Sequence, residues 1–111
     1  MNGTEGTETD YGMAFVAAPA EAAEGIAREI VQQRLAACAQ VLPRMTSVYW
    51  WKGEVQSDPE RLIVLKTRSS RMDRIESLLR RIHPYEVPEL TFVPITAAGG
   101  PYRAWMKEVL G

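Results

Sequence analysis

TSVYWWKGEVQSDPERLIVLKT, residues 46–67, is the stretch on which the fold turns. Residues 37–56, which include its first half, are rich in β-branched and aromatic side chains. They are interrupted at Pro43 and Gly53, where a strand tolerates a bend or bulge. SDPE, 57–60, carries turn chemistry and RLIVLKT, 61–67, reads as the returning strand, so a long hairpin is expected. Along Val48, Tyr49, Trp50 and Trp51 both the even and the odd positions are large and apolar, whereas a half-buried strand keeps one face polar. Both faces therefore require cover. The second face must meet the terminal helix through Trp105 and Met106, another subunit, or a ligand, and self-association is the most economical of the three.

Upstream, YGMAFVAA, 11–18, is a short apolar run bounded by Pro19 and suits a buried strand. Between 20 and 36, Ala23, Ile26, Ala27, Ile30, Val31 and Leu35 follow helical spacing, with Glu21 and Glu24 at the positive end of the helix dipole. Downstream, residues 70–81 open on a capping pair, Ser70 with Asp73, and place Ile75, Leu78, Leu79 and Ile82 on one face of a second helix. LTFVPIT, 90–96, returns to strand. After Gly99 and Gly100, Pro101 can start a terminal helix that aligns Tyr102, Trp105, Met106 and Val109. The order is β-α-β-β-α-β with an added C-terminal helix, an α+β, ferredoxin-like arrangement of one antiparallel sheet with two helices on one face.

The 111 residues suffice for one domain with one core. Thirteen basic and 14 acidic residues nearly cancel, so general nucleic-acid or membrane binding is not indicated. Residues 1–10 read as a frayed acidic tail, with Glu5, Glu8 and Asp10 and no basic partner, and 11–111 as the folded domain. That opening has neither the basic nor the apolar region of a secretory signal, and no run is long enough to span a membrane, so a cytoplasmic protein is expected. Cys38 is the single cysteine, which excludes intrachain disulfides and zinc-finger architectures and suits a small buried hydrophobe.

HPYEVPE, 83–89, holds the only histidine. Pro84 disfavours helical geometry at His83, so the second helix stops at or before it and the next residues run extended. Nothing pairs His83 with a nucleophile, and an enzyme is not expected. Lys66, Arg68, Arg71, Arg74, Arg80 and Arg81 fall close together, the first three around the start of the second helix, where an anion or phosphate can be held. No glycine-rich phosphate loop accompanies them. The exposed aromatics that an RNA-recognition sheet requires are missing from FVAA and LTFVPIT.

RLAACAQ, TSVYWWKGE, LKT, HPYEVPE and PYRAW, taken in order, resemble the CutA divalent-cation-tolerance family from about residue 12 to the end. The resemblance implies a PII-like homotrimer assembled through its long hairpin strands, an association with metal tolerance, and binding of copper or other divalent ions; an imidazole with carboxylates would suit copper, nickel or zinc. Copper ligation in that family has been linked to a cysteine in the first strand and a histidine just before the HPYE block. This chain has Val16 and Ile82 there, leaving His83, Glu86 and Glu89 as the candidate metal ligands. Trp51, Lys66, Arg68, Tyr85, Tyr102 and Trp105 are the candidates for a pocket at a subunit interface. The alternative function is a PII-like signalling protein that takes an anionic small molecule or nucleotide there.

Overall fold

The structure, a computed structural model, describes residues 10–111. In chain order the elements are β1 (Tyr11–Pro19), α1 (Ala23–Gln32), β2 (Cys38–Val41), β3 (Met45–Trp51), β4 (Glu54–Arg68), a 3-10 turn (Ser69–Arg71), α2 (Met72–Ile82), β5 (Thr91–Pro94) and α3 (Gly100–Leu110). The sheet is antiparallel, in the order β2-β4-β1-β5, and β3 also pairs with β4. With β2 and β3 counted as one strand broken at residues 42–44, this is the expected ferredoxin-like order.

The hairpin forms, but its turn is not at 57–60. Lys52 and Gly53 both have positive φ, 51° and 82°, and join Trp51 to Glu54 in a two-residue turn whose twist matches that of the paired strands. SDPE lies within β4, with Pro59 opposite Thr46. The register with β1 ends at Pro19 and Glu60, so β4 has a partner on one side only at Pro59, where a missing N–H is tolerated. At about 3.3 Å per residue the 15 residues of β4 span about 50 Å, comparable with the 47 Å long axis of the molecule.

One face of the sheet packs Ala14, Val16, Ala18, Ile63 and Leu65 against Ile26, Ala27 and Ile30 of α1 and Ile75, Leu78 and Leu79 of α2. α3 covers one end of the molecule, where Met106 and Leu110 meet Tyr11 and Ala37. On the opposite face the register aligns Phe15 with Val64 and Ala17 with Leu62; Phe15, Val64 and Leu62 are only half-buried. Trp105 does not cover the hairpin: Trp50 is 74% exposed and Val48 66%.

Three local expectations are corrected. α1 ends at Gln32 rather than running to 36. Arg34 enters the left-handed region at φ 58°, and the Arg34 and Leu35 amides bond back to Val31 and Ile30, closing the helix end in a Schellman motif. The Ser70–Asp73 capping pair does not form, because α2 has no side-chain cap and the Ser70 hydroxyl donates instead to Asp10. Asp10, assigned to the tail, accepts from Arg68, Ser69 and Ser70 and belongs to the folded domain. The rest of the expected tail, 1–9, lies outside the described residues.

Candidate functional site

His83 is the C-cap of α2, in the extended conformation that a residue before proline prefers, and its amide still bonds to Leu79. The Tyr85 amide donates to Nδ1 at 3.1 Å, which places the ring proton on Nε2, 2.9 Å from the Ala17 carbonyl. The ring is 7% exposed and stacks at a tilt on Tyr85, centroids 4.8 Å apart. His83 thus pins the 83–89 segment to the end of β1, and both nitrogens are spent in doing so.

This anchoring aims Tyr85 at the base of the hairpin. Its hydroxyl donates to Glu60 Oε2 at 2.5 Å, and Glu60 is only 4% exposed. Burial, reinforced by the Glu60 bond, raises the Tyr85 phenol well above its ordinary range, so it stays a donor. Tyr49 donates to Asp58 at 2.5 Å, and that bond leads the rise in its own pKa. Between the hairpin and residues 84–89 lies a cavity of about 700 Å³, walled by Tyr49, Trp51, Tyr85 and Glu60, with Glu86 and Glu89 on its border. Those two glutamates are exposed.

The structure separates the residues expected to act together. Among the described residues no group of three or more His, Cys, Asp or Glu side chains is placed to hold a metal ion. The set His83, Glu86 and Glu89 therefore does not fit a metal within one chain, because the imidazole is buried and saturated while the glutamates face solvent. The expected pocket also divides. Trp51 and Tyr85 line the cavity, whereas Lys66 extends to Gln40 at 2.9 Å, beside Cys38 on the neighbouring strand. The Tyr102 hydroxyl lies 3.5 Å from the Cys38 sulfur, and Trp105 packs on Tyr102 with ring centroids 5.4 Å apart. Arg68 is spent on Asp10 and on the Gly111 carbonyl. Glu60 and Tyr49 were missed. The signal for Glu60 was present: with the turn at Lys52–Gly53, position 60 becomes an interior position of a strand.

A family model described as CutA1 divalent ion tolerance protein matches residues 13–109. Human Protein CutA is 42% identical over 97 residues, 86% of this chain and 54% of that protein, so the chain spans about half the length of this relative. The divalent-cation tolerance protein CutA of Thermus thermophilus is 38% identical over 91 residues, 82% of this chain and 88% of that one. Among solved structures, CutA1 of Thermus thermophilus superposes with a TM-score of 0.86 at 35% identity, covering 91% and 99% of the two chains. CutA1 of Oryza sativa gives 0.85 at 37% identity over 89% and 92%. Among the described residues no helix is long and apolar enough to cross a membrane.

Proposed function

This chain belongs to the CutA1 divalent ion tolerance family, and from that premise we propose that it acts as a cytoplasmic homotrimer in divalent-cation tolerance, binding copper or another divalent ion weakly. The family is named for a tolerance rather than for a catalysed reaction, and no catalytic residue is assigned.

The observation that carries the assembly is the uncovered hairpin. Val48, Trp50 and Val55 are more than half exposed, and among the described residues β3 pairs with β4 alone, leaving its outer edge open. Apolar surface beside a free strand edge favours pairing with further copies, and a closed ring leaves no edge over. Sedimentation equilibrium is expected to give three times the 12.4 kDa chain mass; a monomer mass in dilute solution would remove this reading.

The metal reading passes from His83 to the exposed carboxylates. Glu86 and Glu89 have oxygen donors to offer, and ligands from more than one copy would complete a coordination shell that one chain lacks. Calorimetric titration with copper(II), repeated with zinc, is expected to show weak saturable binding that survives His83→Ala and is reduced by Glu86→Gln with Glu89→Gln. Binding lost in the His83 variant alone would reverse the assignment. A second reading, a small-molecule pocket bordered by Trp51 and Tyr85, is supported by the cavity at the base of the hairpin.

A further inference from the structure

The charge of that cavity does not suit the anionic ligand of the alternative, PII-like reading. Its lining has three carboxylates, Glu60, Glu86 and Glu89, against one ammonium, Lys52, which lies 5.7 Å from the centre of the Trp51 ring. The cations that would attract an anion, Lys66 and Arg68, are outside the lining and bonded elsewhere.

Glu60 supplies the decisive feature. It is more than nine-tenths buried, it borders the cavity, and its Oε2 accepts from the Tyr85 hydroxyl. Among the described residues it has no ion-pair partner. A buried acidic side chain without a countercharge is costly to keep unless a cation meets it, and an ammonium group brings both a positive charge and three N–H donors. Tyr49, Trp51 and Tyr85 in the cavity lining are the aromatic type that suits a cation and the methylenes attached to it. A bare divalent ion is a poor match, since no cluster of metal ligands converges here and about 700 Å³ is room for an organic molecule.

We propose that this cavity binds an aliphatic diamine or polyamine, one ammonium held by Glu60 within the aromatic walls and a second drawn to the border carboxylates Glu86 and Glu89. The inference deepens the small-molecule reading of the cavity and rests on it. The Tyr85 hydroxyl engages Oε2, so the other Glu60 oxygen is the one offered to the ligand.

The test is titration of the full chain, in its native oligomeric state, with spermidine, putrescine and n-butylamine, followed by calorimetry and by tryptophan fluorescence, to which Trp51 contributes. The expected result is saturable binding of the two polyvalent amines with a fluorescence change, and binding of n-butylamine weaker by about tenfold or more. Glu60→Gln is expected to weaken the amines by about tenfold or more. Should that variant fail to fold, the paired change Glu86→Gln with Glu89→Gln alters exposed positions only, and is expected to weaken spermidine while leaving n-butylamine unchanged. Absence of saturable amine binding, or affinities indifferent to these substitutions, overturns the proposal. If ATP, tried in parallel, changes the fluorescence where the amines do not, the cavity reading stands and the cationic ligand falls; if neither does, both fall.

Discussion

Tyr102 and Tyr85 are phenols kept protonated by their surroundings. Partial burial, followed by the contact with Cys38, pushes Tyr102 up to about 12, and burial with the Glu60 bond raises Tyr85 as well. An unfolded tyrosine loses its proton near pH 10, so above that pH the unfolded chain releases protons that the folded chain retains. The stabilisation is whole below pH 10 and is lost as pH rises from there through about 12. Urea melts near pH 9 and near pH 11 should therefore show an alkaline loss of stability that is smaller in Tyr102→Phe; equal losses would exclude Tyr102 as a contributor. His83 belongs to the same scale. That it ends a helix was readable from Pro84 beside it, because the clash that stops the helix is local. That its ring is spent on Ala17 was not, since the partner lies 66 residues away and only the fold brings it near.

Two elements carry tension at a single position. The end of α1 puts Arg34 where glycine is the usual occupant, and a side chain in the left-handed region costs about 1–2 kcal/mol. Part of any relief would be offset by the extra freedom glycine has when unfolded, so Arg34→Gly should stabilise by up to about 1 kcal/mol, read as a rise in the urea midpoint. A fall would mean that the arginine contributes a contact worth more than the strain. In β1 the reverse holds at Gly12, where a Cβ would run into the Phe92 ring and the Val93 carbonyl. Gly12→Ala should destabilise by about 1–3 kcal/mol, because the obstructing carbonyl belongs to the paired strand β5 and cannot swing aside. A melting temperature equal to wild type would show that β5 yields easily. The hairpin turn was misread at this scale. Asp-Pro at 58–59 is a common turn signal, yet Lys52–Gly53 won, because two residues with positive φ give a turn that matches strand twist.

The whole molecule is extended for its length. Its radius of gyration is 15.0 Å, where a compact chain of this size would have about 13 Å, and the hairpin accounts for the excess. A projecting arm with Val48 and Trp50 bare is a poor monomer surface, and the double change Val48→Lys with Trp50→Lys should convert the proposed trimer to monomer in sedimentation while each chain keeps its far-ultraviolet spectrum. A variant that remained trimeric would place the interface elsewhere, on the half-buried sheet face that carries Phe15, Leu62 and Val64.

The order of strands and helices, the buried faces of α1 and α2 and the two-sided character of Val48–Trp51 were all present in the sequence, because each rests on periodicity within one element and needs no knowledge of what lies opposite. The gathering of Tyr85, Glu60 and Trp51 around one cavity, and the dispersal of Lys66, Arg68, Tyr102 and Trp105 away from it, were decided by tertiary structure alone. Side chains far apart in sequence meet only when strand register and loop path set their separations, and a turn moved from 57–60 to 52–53 was enough to put a buried glutamate where a loop had been expected.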